Sequence, residues 1–299
     1  METFGSYKKD WKDSYKTKTK VTKYNNGEKI IEEKEYHKQI NVVAKIVGKK
    51  PALILDYEQV TCKGNEGKQE YEVNVGIKLL DKLKESYGRG IDVIVADAIY
   101  LNEKFLKSIE RNGYKAVVRL KGNNMTLLEN AEGLFKSQKA KEWNSKRKVV
   151  NTNIHKSRKI KAYSDIFEYL GRKVKVVKYE EEYMKAKEKQ RDIIYVASTD
   201  LNMSEETMNK IIHARWDVEN NGFNELKNYW NMKHCYIAES NAINVILEMI
   251  IMSYNIWEMY LYGHLHDFEG MKITKIGYID ELKESIGEMR KEEIRFSSA

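Results

Sequence analysis

The sequence predicts an α/β protein, a mixed sheet flanked by helices with a β-rich insertion ahead of a long late helix. Three observations predict it. Two stretches rich in β-branched and aliphatic residues, Tyr36 to Val47 and Ala52 to Tyr57, are joined by Gly48-Lys49-Lys50-Pro51 and so pair antiparallel across a turn. Residues 67–120 then alternate helix, strand, helix and strand, the order that packs helices on a sheet. Finally, Ser204 to Trp230 contains no proline and carries Met208, Ile211, Ile212, Phe223, Leu226 and Trp230 at helical spacing.

In chain order, Met1 to Lys34 is polar and lysine-rich. It reads as an irregular basic arm (residues 1–35) or a loose hairpin turning at Asn25-Asn26-Gly27. Gly67 to Tyr87 is amphipathic, with Val73, Ile77, Leu80 and Leu83 on one stripe, and Gly88-Arg89-Gly90 ends it. Ile91 to Ala96 is nearly all apolar, as for a strand covered on both faces, and leads into Asp97. Leu101 to Arg111 is a helix stopped by Asn112-Gly113, and Ala116 to Leu120 is a short buried strand. Residues 121–192 break the alternation: a helix at 127–135, strands at 149–160, 166–169 and 174–179, then a charged turn at 180–189. Ile193 to Ala197 returns to the core sheet, and an apolar helix from about Ala242 to Tyr262 closes a unit of residues 36–262. Residues 263–299 form a polar tail with one docked helix.

A hydrophobic fraction of 41% is enough for a real core in 299 residues. No apolar run reaches the ~18–20 residues of a membrane span, so no membrane partner is expected. Cys62 and Cys235 are the two cysteines and lie far apart, which excludes a zinc spacing and a disulfide framework and points to the cytoplasm. The net charge of +8 is unevenly placed: residues 1–50 carry +6, residues 141–191 carry +9 and the remainder −7. Basic blocks on an acidic body suit a nucleic-acid track or, more plainly, solvated surface.

The chemistry centres on Arg215-Trp216-Asp217-Val218-Glu219. In a continuous helix, Ile212, Arg215, Glu219 and Leu226 share one inward stripe, so an arginine and a glutamate stand where a core would take leucine. A plain i, i+4 ion pair on an exposed face is worth about 0.2–0.5 kcal/mol; the apolar stripe favours a functional role. Asp97 ends a buried strand, where open α/β sheets place functional groups. Two acids on rigid elements would hold Mg²⁺, which binds through one or two carboxylates plus phosphate oxygens, and paired ions support displacement at phosphorus. Arg215 could fix Glu219 or hold a phosphate. Lys121, Asn123 and Asn124 follow a core strand and either touch DNA or form a polar turn. Trp216 and Trp230 read as core aromatics, and His213 and His234 lack a partner at ligand spacing.

The strand order, Asp-Ala-x-Tyr after Val-Ile-Val-Ala, and the Arg-Trp-Asp-Val-Glu helix resemble DDE transposases of bacterial insertion sequences. The resemblance is to the subgroup with a tyrosine–arginine–glutamate–lysine signature. It covers roughly Tyr36 to Tyr262 and implies an RNase H-like core, with residues 121–192 as the β-rich insertion before the last catalytic helix. It implies Asp97 as the second catalytic aspartate, Glu219 as the catalytic glutamate, both binding Mg²⁺ (or Mn²⁺), and Arg215 as the signature arginine. Lys227 and Lys121 are expected to join Arg215 in binding DNA, and the resemblance implies transposon ends and target as that DNA and a homodimer as the form that holds it.

Three positions depart from the pattern. The signature tyrosine is Ile212. The lysine expected seven after Glu219 is Leu226, with Lys227 one later, and Asn220-Asn221-Gly222 is placed to absorb the offset. The first aspartate belongs to a strand ahead of Tyr36, where Asp10 and Asp13 lie in a lysine-rich arm without strand character; Asp56 belongs to a strand too distant. The expectation is a chain beginning just after that first strand, with weak metal binding and little or no activity. The alternatives are a DNA-binding transposase relic without catalysis, or another RNase H-like nuclease acting on RNA or a hybrid duplex.

Overall fold

The computed structural model describes residues 2–297 except 13, 26–27, 61–67, 149–154, 186–187, 217, 266, 267, 269 and 272. Strands β1 (Glu2–Ser6), β2 (Tyr15–Asn25), β3 (Glu28–Lys45) and β4 (Ile54–Gln59) form one antiparallel sheet. The basic arm is therefore a regular hairpin and not an irregular segment, although Asn26 and Gly27 at its turn lie outside the described residues. Regularity comes from cross-strand charge pairing, since Lys18 lies opposite Glu35 and Lys20 opposite Glu33. The long β3 runs unbroken through residues 35 and 36.

The second sheet holds six strands in the order β5 (Val93–Ala96), β6 (Lys115–Leu120), β10 (Glu188–Ser198), β9 (Arg172–Lys185), β8 (His155–Tyr169) and β7 (Lys141–Lys148). β5 and β6 are parallel and every other pairing is antiparallel, so the sheet is mixed, as the α/β reading expects. Helices α1 (Lys68–Tyr87), α2 (Glu103–Arg111) and α3 (Met125–Phe135) cover one face through Leu80, Phe105, Leu106, Ile109, Leu127 and Phe135. Helix α4 (Glu205–Ala214) covers the other through Met208 and Ile212, against Val117, Val177, Tyr179 and Val196. Helices α5 (Asn224–Tyr229) and α6 (Ser240–Met259) pack on the first sheet, where Leu226, Leu247 and Tyr254 meet Phe4, Trp11 and Ile54. Helix α7 (Lys275–Ser297) ends the described chain.

Several boundaries differ from expectation. Of the strand expected over 149–160, residues 149–154 lie outside the described residues and His155 onward is β8; β7, at 141–148, has no counterpart in the apolar pattern because Trp143 is its one large apolar residue. The charged turn expected at 180–189 is continuous strand on both sides of residues 186–187. Its charges are paired: Arg191 reaches Glu180 at 2.7 Å and Lys189 reaches Glu182 at 2.9 Å from β10 to β9, and Lys178 reaches Glu180 at 2.7 Å along β9 itself. Leu170 and Gly171, both at positive φ, make the tight turn that joins β8 to β9. β5, expected to be covered on both faces, is half-buried at all four residues, and β6 is its one partner among the described strands.

The start of α4 is fixed electrostatically. The Ser204 hydroxyl accepts from the Thr207 N–H at 3.2 Å, while Glu205 bonds Lys175 at 2.7 Å and the Ser164 hydroxyl at 3.0 Å. Burial pushes the Glu205 carboxyl up, but Lys175, a backbone N–H and Ser164 outweigh it and bring its pKa down to about 2. The folded value lies below the ordinary one of 4.5, so this stabilisation is complete above the unfolded pKa and is lost as pH falls toward about 2. We predict that Glu205→Gln removes on the order of 2 kcal/mol from the loss of stability between neutral and strongly acidic pH. Urea unfolding across that range checks it; parallel pH profiles for the two proteins would refute it.

Candidate active site

β5 delivers Asp97 at its carboxyl end. There the Asp97 Oδ1 accepts the Ala98 N–H at 2.8 Å and caps a short 3-10 turn, Ala98–Tyr100. Asn123 donates to the Ala98 carbonyl at 2.9 Å, tying the loop after β6 to this turn, and Lys121 Nζ lies 3.5 Å from Asp97 Oδ1. Burial works to raise the Asp97 carboxyl; the Ala98 N–H and the charges of Arg215 and Lys121 prevail and hold it below the usual carboxylate range. The aspartate is thus ionised at neutral pH and remains open to solvent, its side chain 40% exposed.

Arg215 arrives from the opposite layer. Its helix is held to the sheet by Glu181 of β9, fully buried, which accepts from Arg158 at 2.8 Å and Asn209 at 2.8 Å and meets His213 Nε2 at 2.6 Å. His213, read from sequence as a surface or core residue, belongs to this brace. Arg215 follows it at the end of α4, with its side chain 11% exposed and its Nε buried without a hydrogen-bond partner among the described residues. Its Nη1 donates to Glu219 Oε1 at 3.3 Å.

The helix does not continue as expected. After Arg215 the backbone widens into a π-helical segment, Val218–Phe223, before α5 resumes. A π-turn holds one more residue than an α-turn and shifts the phase of the downstream helix. Ile212 and Leu226 remain buried, whereas Glu219 is turned outward with its side chain 58% exposed. The expectation that Glu219 lies on the inward stripe is corrected on this ground; it faces solvent and holds Arg215. The irregularity falls on Asn220-Asn221-Gly222, the residues expected to absorb the lysine offset. Gly222 is buried, and a Cβ there would meet the Lys45 Nζ at 3.0 Å. Lys45 itself is fixed, donating to the Tyr254 hydroxyl at 2.8 Å, and burial brings its pKa down to about 8. Gly222→Ala is accordingly expected to cost about 1–3 kcal/mol through crowding, measurable as a lowered denaturant midpoint; an unchanged midpoint would refute it.

The structure therefore links Asp97, Lys121, Arg215 and Glu219 through one set of charges. Lys227 lies on α5, half-buried, apart from the described ion pairs of that set. Asp10 bonds Lys16 at 2.7 Å, and Asp56 lines a separate cavity of about 650 Å³ with Glu58, Lys78, Lys82 and Glu248. Among the described residues no three His, Cys, Asp or Glu side chains come together. One basic residue went unread in the sequence: Arg119, which with Ile194, Ile212, His213, Arg215 and Trp216 lines a shallow depression beside Arg215. The signal for it is a charge within Ala-Val-Val-Arg-Leu, on the same strand face as Val117.

No helix among the described residues is long and apolar enough to cross a membrane. No curated protein matches the chain. Among solved structures it is similar to a piggyBac transposase in a synaptic complex with hairpin DNA, at 14% identity and a TM-score of 0.44, covering 93% of this chain and 53% of the other. The chain thus spans about half the length of that protein, and at this level the likeness carries no weight for the site. The sequence model described as Transposase DDE domain matches residues 10–256, most of the chain, which therefore belongs to the DDE-domain transposase family.

Proposed function

We infer that this chain is the catalytic domain of a DDE transposase, acting on the phosphodiester backbone of transposon-end and target DNA as a cytoplasmic homodimer. What supports the reading is that Arg215, 3.3 Å from Glu219, also helps to lower the carboxyl of Asp97, 122 positions before Glu219 in the chain. In this reading residues 36–262 are the RNase H-like unit, 121–192 its insertion and 263–299 an accessory tail.

Asp97 and Glu219 offer hard, solvent-open oxygen donors, a set that fits Mg²⁺ (or Mn²⁺) completed by water and phosphate oxygens. When bound, such an ion polarises a phosphoryl oxygen and lowers the pKa of a bound water. The chain's own residues position the DNA. Arg215 holds Glu219 in place and turns its remaining donors to a phosphate, with Arg119 alongside and Lys121 at the Asp97 side. Lys227, brought eight residues after Glu219 across the π-helical segment, serves a neighbouring phosphate. With two acids at the site among the described residues, ion binding is weak and strand cleavage by the chain alone is slight or absent.

The test is DNA binding and nicking by the purified chain. Binding is expected to weaken steeply with salt, and Arg215→Ala to lower the log–log slope by about 1. Salt-independent association would remove the DNA reading. Efficient Mg²⁺-dependent nicking would instead overturn the expectation of low activity while leaving the family role intact. A second reading, DNA binding without catalysis, is favoured by the two-acid site; it predicts the same salt slope with no response to Mg²⁺.

A further inference from the structure

Helix α6 presents three faces. Ile243, Leu247, Tyr254 and Glu258 are buried inward. Trp257 on its flank stacks near Tyr260 and Tyr278 of α7. The third face is open: Val245, Met249, Met252, Ile256 and Met259 are 54%, 58%, 56%, 60% and 50% exposed. Their spacing alternates four and three, the seam spacing by which one helix packs along another.

This face also stands out by charge. The other exposed residues on it are Asn241, Glu248 and Ser253, and Glu248 already accepts from the Tyr57 hydroxyl at 3.4 Å. No Lys or Arg occurs anywhere in α6, in a chain with 53 of them. A phosphate backbone or an anionic membrane surface recruits cations, so neither fits here. A second copy does. Two chains of net charge +8 repel through their basic surfaces, and α6 adds no cation to that repulsion. A two-fold axis through Met252 would set Met252 against itself and Val245 against Met259, each seven residues away, with Met249 three before and Ile256 four after it interleaving between them. The five side chains expose on the order of 500 Å² per copy, so a pair that covers them fully buries about 1,000 Å², the lower bound of a specific contact.

We propose that α6 is a homodimer interface, pairing antiparallel with α6 of a second copy through Val245, Met249, Met252, Ile256 and Met259. This does not depend on the transposase reading and deepens it by naming the face on which two copies meet. Sedimentation equilibrium of the full chain across the micromolar range should show a concentration-dependent dimer. Met252→Lys and Met252→Glu should each raise the dissociation constant at least about 100-fold, because each sets like charges face to face. An equimolar mixture of the two should recover a dimer containing one of each. Circular dichroism should be unchanged, and so should the melting temperature at concentrations where wild type is itself monomeric, since Met252 is exposed; Met249→Lys gives a second variant. A chain monomeric throughout that range, a dimer that survives these substitutions, or a mixture that stays monomeric would overturn the proposal. DNA affinity measured on the same variants keeps the two readings apart, because Met252 lies outside the Asp97–Arg215–Glu219 set.

Discussion

Lys275→Met is expected to destabilise the protein by about 3–5 kcal/mol, lowering its melting temperature by on the order of 10 °C. Lys275 opens α7 and joins three helices: it bonds Glu225 of α5 at 3.0 Å and forms a close ion pair with Glu258 of α6. Glu258 is fully buried and also accepts the Ala52 N–H at 3.1 Å. Burial works to raise the Glu258 carboxyl, but Lys275 and Lys50 hold it below its ordinary value, so it is ionised in the fold. Removing the lysine leaves two acids facing each other, with Lys50 at 3.7 Å the nearer remaining cation for Glu258. Pairing the change with Glu258→Leu removes the stranded charge, so the double variant should regain a large part of the loss. Calorimetry of the two single variants and the double variant checks this. A loss below about 1 kcal/mol in Lys275→Met would show that the triad contributes little.

Glu181→Leu should cost a similar amount, about 3–5 kcal/mol, and should also weaken DNA binding. The carboxylate gathers Arg158, Asn209 and His213 where α4 meets the sheet, so its loss strands a guanidinium and a buried amide. His213 is two residues before Arg215, and the brace thereby sets where the arginine emerges. Glu181→Gln keeps an acceptor for Asn209 but gives up the charge facing Arg158, and should fall between wild type and Glu181→Leu. If the leucine variant loses stability while its DNA affinity and salt slope hold, the brace is structural and does not position Arg215.

Much of the architecture was legible because it rests on periodicity. The helix at 68–87 and the strands at 93–96 and 115–120 fall within a few residues of their apolar patterns. The insertion was legible as β-rich but not in its boundaries, because β7 and the ends of β9 and β10 are held by Lys–Glu pairs across strands. Such pairs leave no apolar signature. Arg119 was missed for the opposite reason: one charge in an apolar strand counts as a flaw until the strand's face is known.

The sequence by itself determined the class of fold and the family and put forward Asp97, Arg215 and Glu219 as the proposed site, because residue type and spacing along a strand or helix are local properties. Tertiary structure decided which way those side chains turn. The widened helical turn over Val218–Phe223 carried Glu219 out to solvent while Ile212 and Leu226 stayed in the core. That phase shift comes from how α4 and α5 must each bury a different face, against different sheets, and no count of residues along the chain contains it.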